Sequence, residues 1–216
     1  PARTFHEACQ CVWFLFVGIQ DEALEKCYSV GRFDQFTYPL YKKDIETGVA
    51  TPEQEQEILD CLFMKFPETN YINSDANQTA AGFSVQQQFI VGGQTPDGKD
   101  GTNDVSYMLL QGSMNTRFGQ PSVSLRMWEG TPEPLYRKAA ELARLGTGHP
   151  SFFCDETIVP SLIAKGVLPE DARDYSAVGC SGVQCTRKDK GSHNAGYMNF
   201  GSCLEFVLYD GYWPYG

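Results

Sequence analysis

Pro121-Ser122-Val123-Ser124-Leu125-Arg126-Met127-Trp128 is the stretch that decides the fold class. Apolar and polar residues alternate along it, the period-two pattern of a strand. Thr131-Pro132 then opens a helix that carries Leu135, Ala139, Leu142 and Leu145, and Gly146 closes it. Ser151–Cys154 reads as a further short strand, followed by a helix over Glu156–Lys165 and a strand over Tyr175–Gly179. Strands separated by helices indicate an α/β architecture with largely parallel strands, as a barrel or an open sheet.

Working backwards, Gln86–Val91 is another strand. It ends in Gly92-Gly93-Gln94 and the turn-rich Pro96-Asp97-Gly98-Lys99-Asp100-Gly101. Thr102 or Asn103 caps a helix running to about Arg117. Thr51-Pro52-Glu53-Gln54 combines a cap, a first-turn proline and a capping-box glutamine. Ile58, Leu59, Leu62, Phe63 and Phe66 then mark one buried face. Residues 33–47 form an amphipathic helix ending near Gly48. Residues 6–27 form a helix apolar nearly all round, which predicts deep burial. Residues 68–82 read as loop, and Leu204–Tyr209 as a helix capped at Gly211.

The 216 residues suit one large domain or two small ones, and the formal net charge is −10. No basic stripe exists, so nucleic acid is not expected as a partner. Val12–Ile19 is too short to span a bilayer. The chain starts at Pro1 and stops just after an aromatic run, the expectation for a window cut from a longer protein. Its eight cysteines are too sparse for a disulfide scaffold, so reduced thiols in the cytoplasm are expected. Cys61 and Cys203, on helices among apolar residues, read as small buried hydrophobes.

In α/β folds functional residues gather after strand C-termini. Gly92-Gly93-Gln94, Trp128-Glu129, Asp155 and Cys180 all occupy such positions. Cys180 ends Asp174-Tyr175-Ser176-Ala177-Val178-Gly179-Cys180, ahead of the small and polar Ser181-Gly182-Val183-Gln184-Cys185-Thr186. The residues alone leave three roles open for it. It could join Cys185 and His193 on zinc, although C-x4-C-x7-H matches no common zinc spacing. It could be a thiolate nucleophile with His193 or His149 as base. It could be structural and buried. Segment 91–101 matches neither glycine-rich phosphate motif. Arg126 is expected to pair with Glu129 or Asp155, or to face an anion. Arg187, Lys188 and Lys190 form a solvated loop, or meet a dicarboxylate if that loop covers a pocket. His6 and His149 read as satisfied polar residues.

An ordered series of segments carries a resemblance. Gly31-Arg32-Phe33-Asp34-Gln35-Phe36-Thr37-Tyr38-Pro39 comes first, then Gly92-Gly93-Gln94, Asp97-Gly98 and Asp100-Gly101-Thr102-Asn103. Gln120-Pro121-Ser122, Arg126, Thr131-Pro132-Glu133 and Asp155-Glu156 follow, and Asp171 to Cys180 closes the series. Together they resemble the central catalytic region of glycyl radical enzymes, the pyruvate formate-lyase-like superfamily. The resemblance implies that residues 1–216 are part of a ten-stranded α/β barrel with surrounding helices, one incomplete catalytic domain. It implies Cys180 as the thiyl radical carrier. The cofactor it implies is a glycyl radical, installed by a separate radical SAM activating enzyme. The motif R-V-x-G-[YF] that holds this glycine does not occur in the sequence, so the piece is expected to be inactive alone. A cytoplasmic location in an anaerobic bacterium follows from the same resemblance.

Lyases of this superfamily carry an acid two residues after the cysteine, where Gly182 stands here. The small-residue loop after Cys180 is similar instead to the fumarate-adding branch, the alkylsuccinate and benzylsuccinate synthases. That branch implies carbon–carbon bond formation between a hydrocarbon, an n-alkane favoured over toluene, and fumarate. Gly182 would leave room for two substrates, and Arg187, Lys188, Ser192 and His193 are candidate fumarate ligands. No metal is expected, and small accessory subunits are admitted. Two alternatives stand beside this one: a glycyl radical lyase or dehydratase with an unusual base, and a non-enzymatic α/β binding domain with a structural Cys180.

Overall fold

A computed structural model describes residues 1–23, 27–69, 86–179, 182–186, 188 and 199–212. Its core is a four-stranded parallel sheet in the order β1 (Cys27–Gly31), β2 (Gln86–Gly92), β3 (Ser122–Met127), β4 (Ser151–Cys154). Five helices belong to it: α1 (Phe5–Ala23), α2 (Phe33–Glu46), α3 (Pro52–Lys65), α4 (Asp104–Thr116) and α5 (Glu133–Arg144). After β4 come α6 (Asp155–Ala164), α7 (Pro169–Arg173), the antiparallel pair β5 (Tyr175–Val178) and β6 (Gly182–Cys185), and α8 (Phe200–Leu208). The α/β class and the parallel pairing agree with the sequence reading.

The alternation in β3 sorts its two faces. Val123 and Leu125 point with Phe89 and Val91 into a core shared with α1 to α5. Phe33, Phe63, Phe66 and Phe89 meet there in edge-on and stacked contacts at 5.2–5.7 Å between ring centroids. Residues of the opposite register, Ile90 and Phe153, enter a second core with Val159, Ala172, Tyr175 and Ala177. That second face is unusually polar for a buried sheet. Gln88, Ser124 and Arg126 lie on it, all buried, and Gln88 donates to Ser124 Oγ at 2.5 Å. Polar groups on a covered face need partners, so this face was built for more than packing.

The expected caps are present. Thr51 Oγ1 accepts from Gln54 N at 3.3 Å while Gln54 Oε1 accepts from Thr51 N at 2.9 Å. Asn103 Oδ1, rather than Thr102, caps α4 by accepting from Val105 N and Ser106 N.

Three local readings are corrected. The first helix ends at Ala23 and a strand begins at Cys27, because Cys27, Tyr28 and Ser29 pair with β2. Helix propensity over this short run yields to the ladder. That helix is not buried all round: Phe5, Cys9, Val12 and Phe16 face the core, while Phe14 and Leu15 are exposed. Cys61 and Cys203 are exposed too: Cys61 stands on the outer side of α3, and α8, which carries Cys203, buries none of its residues. No described helix is long and apolar enough to cross a membrane.

Candidate functional site at the strand C-termini

Three buried charged groups organise the C-terminal end of the sheet. Arg126, on β3, and Asp155, the first residue of α6, are both completely buried and form a two-pronged pair: Nε to Oδ1 at 2.9 Å and Nη2 to Oδ2 at 2.7 Å. This fork geometry suits arginine and a carboxylate. The remaining capacity is also filled. Tyr175 Oη donates to Asp155 Oδ1 at 2.7 Å, and Gln94 N donates to Oδ2 at 3.3 Å. Arg126 Nη1 donates to the Tyr175 carbonyl at 3.1 Å, and its Cζ sits 3.9 Å from the centre of the Tyr175 ring. Burial, with Asp155 close by, pushes the Tyr175 phenol well above its ordinary range, so it stays a neutral donor.

Arg32 is the third group. Its Nη2 donates to the Gly92 carbonyl at 3.0 Å and its Nη1 to the Gln94 carbonyl at 3.1 Å. Nη1 also lies 3.4 Å from Asp174 Oδ1 and 3.5 Å from the Arg173 carbonyl. Burial, reinforced by the charge of Arg126, lowers this guanidinium to about 10. Neighbouring Asp34 is pushed upward by its burial, against the pull of Arg32. It accepts from Gly92 N at 3.1 Å and from Ser106 Oγ at 2.7 Å.

Gly93 explains why the β2 loop ends in glycines. Its φ is +71°, and a Cβ there would stand 2.5 Å from Arg126 Nε. Only glycine lets the loop pass over the guanidinium.

The arrangement holds β5 by its first residue and by the two before it. Arg126 and Asp155 grip the backbone and ring of Tyr175, and Arg32 grips Arg173 and Asp174. Ser29 Oγ donates to the Ala177 carbonyl at 2.6 Å from β1. Thr186 Oγ1, beyond β6, donates to the Asp174 carbonyl. Val178 then pairs with Gly182 at the end of the antiparallel ladder between β5 and β6. Gly179 has φ +61°, the turn conformation that glycine favours.

The candidate residues fare unequally. Cys180, Arg187, Ser192 and His193 lie outside the described residues. Gly182 is the exposed first residue of β6, which replaces the expected loop. Lys188 Nζ pairs with Asp171 Oδ2 at 2.8 Å on the surface. Cys185 is buried, opposite Tyr175, and among the described residues no group of three His, Cys, Asp or Glu is placed to hold a metal ion. Arg126 takes the structural partner Asp155, one of the two carboxylates expected. His149 is half satisfied, its Nε2 lying 3.0 Å from the Gly119 carbonyl, and burial lowers its affinity for a proton. Sequence reasoning missed Tyr175, Arg32 and Asp34 as a working group. The polar register Ser122, Ser124, Arg126 on a buried strand was the available signal.

The four-stranded parallel sheet with buried arginines clamping β5 at its C-terminal end defines an α/β fold of the barrel type. The Pyruvate formate lyase-like family matches residues 1–216, and the chain belongs to it. The chain is 34% identical over 215 residues to isethionate sulfite-lyase of Bilophila wadsworthia, covering 98% of this chain and 26% of the relative. Among solved structures it superposes on the protein of "1,2-propanediol Dehydration in Roseburia inulinivorans" with TM-score 0.91 and 39% identity, over 99% of this chain and 27% of that one. The B12-independent glycerol dehydratase of Clostridium butyricum gives TM-score 0.91 and 37% identity, over 100% and 27%. The chain therefore spans about a quarter of the length of these relatives. The cofactor of the family is a glycyl radical installed by an activating enzyme.

These likenesses overturn the reading as a carbon–carbon bond-forming synthase. The relatives are a sulfite-lyase and dehydratases, and the assignments of fumarate, of a hydrocarbon and of the alkylsuccinate and benzylsuccinate synthases lose their support. The missing acid at Gly182 and the small-residue loop after Cys180 had carried those assignments. A proton-transfer group is defined by its place in space, and a fold can deliver it from another segment.

Proposed function

We propose that this chain is the Cys180-bearing part of a glycyl radical lyase or dehydratase. Its substrate is a small molecule with a hydroxyl on one carbon and a leaving group, hydroxide or sulfite, on the next. The observation that carries this reading is full-chain likeness to enzymes that remove such groups, at TM-score 0.91 for the two dehydration structures. The buried clamp on β5, the strand that precedes Cys180 in the sequence, supports it.

The glycyl radical, when present, supplies the unpaired electron that makes the Cys180 sulfur a hydrogen acceptor. Cys180 takes the hydrogen from the hydroxyl-bearing carbon. The hydroxyl proton goes to a base, the bond to the leaving group breaks with its electron pair, and a carbonyl forms with the radical on the adjacent carbon. Cys180 returns its hydrogen there, so the thiol is a carrier and not a reagent. Hydroxide needs a proton to leave, whereas sulfite leaves without one. Gly182 offers no acid or base, so the group comes from elsewhere. His193 is the candidate on this chain, since His149 is engaged with Gly119 and His6 lines a distant helical pocket.

The test is anaerobic assay of the full-length polypeptide after radical installation, against isethionate, 1,2-propanediol and glycerol. Carbonyl product with release of sulfite or water is expected from one of them, and none from Cys180→Ser, because an alcohol O–H is too strong to exchange hydrogen this way. Product from the Cys180→Ser enzyme would refute the mechanism. Addition to fumarate with no elimination would refute the class.

A further inference from the structure

A cavity of about 700 Å3 opens between α1, α2 and α3. Its walls come from residues 4–65 and share nothing with the clamp around β5. Much of the lining is apolar, with Cys9, Trp13 and Leu62, yet three acids stand in it, Asp44, Glu55 and the exposed Glu57. Asp44 and Glu55 are buried, at 0% and 1% exposure. Asp44 Oδ2 accepts from Phe5 N at 2.6 Å and so holds the start of α1, but Asp44 Oδ1 and Glu55 Oε2 have no hydrogen-bond donor.

Buried acceptors without donors are costly and rare. The nearby cations do not serve them. Lys65 Nζ pairs with Glu68 at 2.8 Å and Lys43 Nζ donates to the Arg3 carbonyl at 3.0 Å. His6, Glu57 and the thiols of Cys9 and Cys61 complete the titratable lining, and Glu57 adds negative charge. Burial first, and the charge of Asp44 second, push Glu55 up to about 7. A pocket holding two unsatisfied carboxylate oxygens beside an indole asks for positive charge on an organic body. A hard metal ion would need more oxygen ligands than these, whereas N–H donors and an apolar stem fit both the acids and the Trp13 wall. The volume is that of an organic-ligand site.

We propose that this pocket receives a cationic head group, an alkylammonium or a guanidinium, whose N–H groups donate to Asp44 Oδ1 and Glu55 Oε2 while its stem lies against Trp13 and Leu62. The same chemistry is available from a free organic amine or from a Lys or Arg side chain of another polypeptide segment. Binding holds Glu55 ionised, so it releases a proton wherever Glu55 was protonated beforehand.

Two measurements on the full-length polypeptide decide the matter, and neither depends on the reaction proposed above. The first is calorimetric titration with agmatine, with n-butylammonium, and with n-butanol as the neutral control, on wild type and Glu55→Gln. The second is a crystal structure grown at about pH 8, above the raised Glu55 value. Saturable agmatine binding that weakens tenfold or more in Glu55→Gln, with none for butanol, supports the site and identifies a free cation. No agmatine binding, but a Lys or Arg nitrogen within about 4 Å of either oxygen, supports it and identifies a side chain. No binding and no cationic nitrogen there, with the two carboxyl groups sharing one proton, overturns it.

Discussion

Replacing Asp155 by Asn tests the clamp on β5 most directly. The Asp155 carboxylate accepts from Arg126 Nε and Nη2, from Tyr175 Oη and from Gln94 N. Asparagine keeps the volume but turns one acceptor into an N–H2 facing those donors. It also leaves the Arg126 charge buried without a counter-ion. Breaking a buried pair in this way costs about 3–5 kcal/mol. The loss is local to β3 and β5, so amide hydrogen exchange is the suitable assay. At about 1.4 kcal/mol per factor of ten, the amides of Leu125–Met127 and Tyr175–Val178 should exchange roughly a hundredfold to a few thousandfold faster. Those of α3 should be unchanged. The companion experiment is the cycle of Arg126→Met, Asp155→Leu and the double variant. Each single change leaves a buried charge, and each should cost about 3–5 kcal/mol. The double change leaves no charge, only the Tyr175 hydroxyl and Gln94 N–H without acceptors and the Tyr175 carbonyl without its Arg126 donor, losses also made in one or other single variant and worth about 1–3 kcal/mol each. The coupling should therefore favour the double variant by several kcal/mol. A double variant as damaging as the two singles together, or an Asp155→Asn cost below about 1 kcal/mol, would refute the account of this network.

Gly93→Ala should destabilise by about 2 kcal/mol or more, since the left-handed backbone costs about 1–2 kcal/mol and the methyl displaces Arg126 as well. A lowered melting temperature with faster exchange at Arg126 and Tyr175 checks it. Lys188→Ala should leave the melting temperature essentially unchanged, because its pair with Asp171 is at the surface. The same melting experiment reads it. With no cation bound, Glu55 holds its proton more tightly in the folded state than in the unfolded one. Stability should then fall as pH rises from about 4.5 to about 7 and flatten above. Glu55→Gln should remove that slope, measured by urea unfolding across the range.

Much of the scaffold was legible before any coordinates. The capping box at Thr51 and Gln54, the strand at 122–127 and the helix after Thr131-Pro132 rest on interactions within a few residues of each other, so local pattern suffices. The strand at Cys27–Gly31 was not legible, because its stability comes from the ladder to β2, a segment far along the chain. Cys61 and Cys203 show the same limit. Apolar neighbours in sequence do not say which side of α3 is buried, nor that α8 buries no side at all.

For the candidate site, the sequence by itself determined the actors. Cys180 follows a strand-ending glycine, Arg126 and Asp155 stand where strands end, and Gly93 fills a turn. The missing acid at Gly182 was equally plain in the sequence, yet it did not decide the chemistry, because another segment can supply a proton-transfer group. Only the tertiary structure decided how these residues relate. It joined Arg126 to Asp155 rather than Glu129, set the Tyr175 ring beneath the guanidinium, and paired Val178 with Gly182. The physical reason is the range of the forces involved. Capping and periodicity act over one or two turns of chain, whereas a buried charge finds its partner through space.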